Sequence, residues 1–184
     1  MSYQQYKPLI LQTAHDAIEY GLKHNRERQI DHQKIPAALL QQRACFVTLE
    51  INDQLRGCIG SLEAWRPLID DINHNARAAA FSDPRFPPVN ETELEQLSIH
   101  VSILSPAIPI EITSEKDAIS QIRPGIDGLI LKEKERRGTF LPTVWESLPE
   151  PADFLCHLKL KAGLPENYWS DKMELFRYTT EMVE

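Results

Sequence analysis

No stretch of this chain approaches the ~18 consecutive apolar residues that a membrane-spanning helix requires, and its opening residues lack the basic start and long apolar core of a secretory signal. A cytoplasmic location without membrane association is the expectation. Cysteine is scarce: three residues, at 45, 58 and 156. An odd number at wide separations fits a reduced compartment rather than a disulfide scaffold. CxxC and HExxH are both missing, and the adjacent Cys156-His157 pair has no partners at metal-site spacing. No metal is demanded, and nothing identifies a cofactor. A basic excess is also lacking, with 20 basic residues against 27 acidic and a formal charge of −7. That balance argues against a general binder of phosphate backbones. Glycine is sparse at seven residues, so two within one strand carry information.

Those two lie in Leu55-Arg56-Gly57-Cys58-Ile59-Gly60-Ser61-Leu62, the stretch around which the chain is organised. It follows a strand-like run from Ala44 to Ile51 across the polar link Asn52-Asp53-Gln54, which together read as a β-hairpin. Alternation along an extended chain would set Arg56, Cys58 and Gly60 on one face. Paired glycines mark a bulge or a close approach by another group. An arginine beside a cysteine is a setting that favours thiolate. The competing reading is that Cys58 is a small core residue.

Elsewhere the pattern is regular. Residues 3–23 show helical spacing of apolar positions, and 24–43 is a polar surface connection. Pro67 opens a helix over 67–81, with Asp70/His74 and Asn73/Arg77 placed to pair at i,i+4. Asp83-Pro84-Arg85-Phe86-Pro87-Pro88 is a stiff loop that fixes an acid and a base in space or lays its phenylalanines into a core. Asn90 and Glu93 form a capping pair, and 98–104 alternates as a strand with His100 on its polar face. An extended connection over 106–112 leads to a short helix ending near Ile122, and Arg123-Pro124-Gly125 carries a type II turn. A second hairpin spans 128–141, its mixed-sign tip Lys132–Arg137 reading as a solvated turn. Helices follow from Pro142 and over 151–162, with Gly163 as the stop, and 173–179 is a strand closing the second sheet. Hairpin, proline-started helix and strand thus occur twice. The expected fold is α+β, with two lobes at about 1–112 and 113–184 built from a duplicated hairpin–helix–strand unit of antiparallel sheets flanked by helices.

The chain resembles the AMMECR domain family, whose bacterial and archaeal members are also called AmmeMemoRadiSam system protein A. The residues that carry the resemblance include Arg56-Gly57-Cys58-Ile59-Gly60, Asn75-Ala76-Arg77-Ala78-Ala79-Ala80-Phe81, Asp83–Pro88, Arg123-Pro124-Gly125, and Thr139-Phe140-Leu141-Pro142 with Val144-Trp145. It runs from about residue 44 to the C-terminus. One departure is the hairpin link Asn52-Asp53-Gln54, where the family often uses glycine. The resemblance implies two lobes sharing a cleft, and a pathway with Memo-like and radical-SAM partners. This chain has no CxxxCxxC and would not be the iron–sulfur component.

Three functional readings follow. In the first, the protein is an enzyme or an enzyme's accessory subunit with a site in the cleft. Cys58, Arg56 and His74 would be its catalytic groups, and Gly57, Gly60, Arg77, Asp83 and Arg85 would line a pocket for a small molecule. In the second, the same residues are structural in a protein-interaction module, with Arg56 in an ion pair, for instance to Asp83, and Cys58 buried. The third, nucleic-acid binding, is disfavoured by the acidic balance.

Overall fold

The computed structural model of the chain describes residues 2–184. Its elements in chain order are α1 (Lys7–His24), β1 (Cys45–Ile51), β2 (Gln54–Gly60), α2 (Leu68–Phe81), α3 (Glu91–Leu94), β3 (Ser98–Leu104), β4 (Ile108–Ile110), α4 (Glu115–Gln121), β5 (Gly128–Glu133), β6 (Arg136–Phe140), α5 (Pro151–Lys161), β7 (Glu174–Tyr178) and β8 (Thr180–Val183), with one short 3-10 turn ahead of α1 and two between later elements. Contacts divide the chain into two compact units. One runs to Leu104 and regains the chain end at Glu181–Glu184, and the other is Ser105–Thr180. Among the described residues no helix is long and apolar enough to cross a membrane.

The first unit holds a sheet of order β2-β1-β3-β8. β1 pairs antiparallel with both β2 and β3. Asn52 and Asp53 turn the hairpin with φ of 52° and 60°, a left-handed pair that these two residue types tolerate without glycine. α1 buries Ile10, Ala14, Ala17, Ile18 and Gly21 at helical spacing, and α2 buries Leu68, Ile69, Ile72, Ala76, Ala79 and Ala80. Both helices share a core with Cys45, Val47, Leu49, Val101 and Ile103 on one sheet face. Pro67 stands one residue ahead of α2 rather than inside it. The free amides of Leu68 and Ile69 donate to the carbonyls of Gln41 and Leu39. The 24–43 segment, expected to be all surface, therefore includes the fully buried Leu39 and caps a helix.

The second unit holds the order β4-β7-β5-β6. Its core joins Leu129, Leu131, Phe154, Leu155, Leu158 and Leu175, with Trp145 stacked on Phe154 at 3.8 Å between ring centroids. The Arg123–Asp127 turn forms as read, with Gly125 at φ 73° and its arginine donating to the buried Asp127 at 2.6 Å.

Written from the hairpin outward, the two sheets are β2-β1-β3-β8 and β6-β5-β7-β4. Both place the third strand antiparallel to the first strand of the hairpin, so the α+β duplication read from the sequence is the architecture. Three details differ from the expectation. Ile108–Ile110 is an edge strand rather than a connection, where a central proline costs no ladder bond on its open side. β7 lies inside its sheet, not at its end, and β8 adds to the first sheet. Each fourth strand thus follows, along the chain, the third strand of the other unit. Such an exchange is long-range pairing, and local periodicity carries no trace of it.

Candidate functional site

The two glycines of β2 accommodate two different neighbours. A Cβ on Gly57 would sit 2.3 Å from the Ala79 carbonyl oxygen, and one on Gly60 would meet the Phe46 ring at 2.2 Å. Gly57 lets the backbone of α2 press onto the strand, and Gly60 lets the Phe46 ring lie across it. Protein atoms already fill both spaces that the sequence offered as substrate-binding positions.

Cys58 lies between them with the parity opposite to Gly57, so its side chain leaves the face turned away from α2. The thiol is half-buried, with Sγ 3.3 Å from Thr48 Oγ1. The cross-strand register continues Cys58–Thr48–His100. His100 holds Glu184 through Nδ1 at 3.0 Å and stands 3.4 Å from Glu50 through Nε2.

β2 is an edge strand, and an edge presents unpaired N–H and C=O groups. The Asp83–Pro88 loop covers both of those on Cys58. The Cys58 N–H donates to Asp83 Oδ2 at 2.9 Å, and Arg85 Nη2 donates to the Cys58 carbonyl at 3.3 Å. Asp83 is 4% exposed and accepts Arg85 N at 3.1 Å, Nε at 3.0 Å and Nη2 at 2.7 Å. The Arg85 hydrogen bond, aided by the Cys58 amide, holds the Asp83 carboxyl well below the usual carboxylate range against its own desolvation. Arg85 is raised above its ordinary range, first by its bond to Asp83 and in lesser part by the charge of the Cys58 sulfur. Its side chain stays 53% exposed. A charged group thus reaches solvent beside the thiol.

Arg56 does not supply that charge. The register slips between Leu49 and Glu50, and this bulge breaks the alternation that would have put Arg56 beside Cys58. The Arg56 guanidinium, 11% exposed, instead grips Glu93 through Nε at 2.7 Å and Nη2 at 3.0 Å and the Pro87 carbonyl at 2.9 Å. Its ion pair is with Glu93, not Asp83. Arg56 lowers the Glu93 pKa against burial, while Glu93 also closes the capping box with Asn90. His74 and Arg77 ride on α2, which packs against the sheet face opposite the thiol. His74 pairs with Glu27 at 3.1 Å rather than Asp70, which takes His32 at 3.0 Å. Arg77 lies over the Phe81 ring at 5.9 Å. Of the residues singled out from sequence, the structure brings Cys58, Asp83 and Arg85 together, sets Arg56 in a neighbouring structural pair, and leaves His74 and Arg77 on another side.

Thr48, Glu93 and Asp71 were not singled out as site residues. Asp71 is fully buried and accepts from Cys45 N at 2.9 Å, Ser61 Oγ at 2.7 Å and Asn75 Nδ2 at 3.0 Å, with Arg66 Nε at 3.2 Å. This clamp joins α2 to the start of β1 and the residue after β2. Its only trace in the sequence is the i,i+4 spacing of Asp71 and Asn75. Burial, and then the Asp71 charge, push the Cys45 thiol well up, so the two hairpin cysteines differ sharply in setting. For a metal, His15, Asp16 and Glu19 bring ligand atoms within 4.8 Å of one another on α1. Both carboxylates are already paired, with Arg28 at 2.8 Å and Lys23 at 2.7 Å.

The chain is similar along almost its whole length to several proteins. One from Methanothermobacter thermautotrophicus is 37% identical over 179 residues, covering 94% of this chain and 91% of that protein. One from Thermotoga maritima is 43% identical over 152 residues, covering 81% and 82%. The crystal structure of the uncharacterized protein PH0010 from Pyrococcus horikoshii has the same fold, with a TM-score of 0.87 at 31% identity, covering 98% of this chain and 92% of that one. The AMMECR1 family model matches residues 11–183. With a match that includes the hairpin, the Asp83–Pro88 loop and both sheets, the chain belongs to the AMMECR1 family.

Proposed function

We propose that this protein is an enzyme, or the accessory subunit of one, that uses the Cys58 thiolate as nucleophile toward a small anionic substrate held by Arg85. The observation that carries the reading is the arrangement around Cys58. Its thiol is partly open, its backbone is fixed on both polar groups by the Asp83–Arg85 loop, and the half-exposed Arg85 guanidinium that donates to its carbonyl stands beside it. Thiolates are the reactive form of cysteine, and a neighbouring cation favours them. Asp83 is a positioning residue that fixes Arg85. Arg56, paired with Glu93 through Nε and Nη2, and His74, engaged with Glu27, stand outside the reacting set. The acidic balance supports a small-molecule or protein partner over nucleic acid. Memo-like and radical-SAM proteins remain the proposed pathway partners, on the strength of family resemblance, and the cytoplasm the proposed location.

The test is alkylation of the native protein with iodoacetamide followed by peptide mapping. Cys58 is modified while Cys45 is spared. Modification of Cys58 only after unfolding would sink the nucleophile. A second reading, a non-catalytic interaction module, draws on the part that Arg56 and Asp83 take in holding the fold. On that reading Cys58→Ser changes stability or partner capture and no turnover.

A further inference from the structure

The β5–β6 turn is shorter than its charge run implied. Pairing extends to Glu133↔Arg136, and only Lys134 and Glu135 make the turn. Glu133, expected at a solvated tip, is 2% exposed. It shares the parity of Leu129 and Leu131, and so the face packed with α5 residues. One carboxyl oxygen, Oε1, accepts from Tyr168 Oη at 3.2 Å. The other, Oε2, is buried without a hydrogen-bond partner. Glu133 lines a pocket of about 460 Å³ together with Lys134, Glu135, Arg136, Leu164, Pro165 and Tyr168. The far wall is a built one. The buried Lys159 binds Glu115 at 2.5 Å and the carbonyls of Glu166 and Tyr168, pinning the segment after α5.

A buried carboxylate oxygen without a donor is costly, and each such atom in a native protein calls for an explanation. We propose that this pocket binds a small organic cation whose primary ammonium or guanidinium draws the Glu133 carboxylate round to meet it, so that Oε2, closed off in the free protein, gains a donor. The pocket is within the ~300–1,000 Å³ range of small-molecule sites and far beyond the ~30 Å³ share of one water. Leu164, Pro165 and the Tyr168 ring offer an apolar wall for the carbon chain of such a ligand, while Glu133 supplies the buried charge. Exposed Lys134, Glu135 and Arg136 mix both signs at the rim, and Glu133 is the one buried charge in the wall. The tip reads as mixed charge in the sequence because its one buried member is indistinguishable there from its exposed neighbours. Nothing in this proposal depends on Cys58.

The experiment is titration of the ¹⁵N-labelled full chain with n-butylammonium, n-butanol and n-butyrate in parallel. Saturable shifts confined to residues 133–136 and 164–168 are expected with the ammonium alone. Glu133→Gln, which keeps the shape but loses the charge, weakens that binding by about tenfold or more, as the loss of a charge-assisted hydrogen bond does. No saturable shift, equal shifts with butanol or butyrate, or undiminished binding by Glu133→Gln would overturn the proposal. The three-probe comparison on the unaltered chain decides the matter even where the variant fails to fold.

Discussion

Replacing Asp83 with asparagine tests how the loop holds the Cys58 edge. The carboxylate accepts four hydrogen bonds, one from the Cys58 amide and three from Arg85. An asparagine there would keep one acceptor oxygen and turn an NH₂ toward donors. Hydrogen bonds to a charged group contribute ~1.5–3 kcal/mol, but Arg85 is half-exposed and its pairing is discounted by solvent screening to ~1 kcal/mol or less. Adding ~1 kcal/mol or more for the stranded Cys58 amide gives a loss of about 2–3 kcal/mol near neutral pH. For a chain of this size that is about 4–12 °C in Tm, at ~2–4 °C per kcal/mol. The loss is pH-dependent. Because Asp83 is depressed in the folded protein, its contribution is complete above the unfolded carboxyl pKa near ~3.9 and fades as pH falls toward the lower folded value. Urea titrations of both proteins at a series of pH values should show a full gap above about pH 5 that narrows in acid. A gap that stays constant to the lowest pH at which both still fold would refute the ionised Asp83–Arg85–Cys58 arrangement, as would no gap at neutral pH.

Other outcomes follow from the same geometry. Gly57→Ala presses a methyl onto the Ala79 carbonyl and should cost near the top of the ~1–3 kcal/mol range for overpacking, whereas Gly60→Ala, opposed by a ring that can rotate, should cost about 1 kcal/mol. Denaturant midpoints distinguish them, and equal losses would contradict the backbone contact. Arg56→Ala leaves Glu93 without its partner and should destabilise by about 3 kcal/mol, while native alkylation of Cys58 proceeds unchanged. A large change in that rate would return Arg56 to the site. Tyr178, whose pKa burial pushes up to about 12, should be the last tyrosine to ionise in an ultraviolet pH titration, and Tyr178→Phe should remove that late phase.

The sequence was informative where the structure is local. Alternation at 98–104, the small-residue stripe of α2 and the Pro124-Gly125 turn are each written within a few residues, and each appears as read. The Gly57/Gly60 pair correctly signalled close approach, but the approaching groups, a helix carbonyl and a phenylalanine ring, come from elsewhere in the chain. Arg56 was misplaced because a bulge shifts register by one residue, and its partner Glu93 is 37 positions away. Asp83 and Arg85 were legible as a rigid acid–base pair, although their target, the Cys58 backbone, was not. Glu133 read as part of a solvated turn and Asp71 drew no reading, because burial is a tertiary property. β8 is four residues long, too short for periodicity to speak, and its pairing belongs to the opposite end of the duplication.

The central claim is that Arg85 places a positive charge beside an accessible Cys58 sulfur. Native-state alkylation with anionic iodoacetate and neutral iodoacetamide, followed at the Cys58 peptide in the unaltered protein and in Arg85→Gln, measures that charge directly, because the ratio of the two rates cancels the thiolate fraction. One unscreened charge at short range in water amounts to ~1 kcal/mol, so the iodoacetate-to-iodoacetamide ratio should fall about fivefold in Arg85→Gln. An unchanged ratio, or a Cys58 that neither reagent reaches until the protein unfolds, would contradict the account.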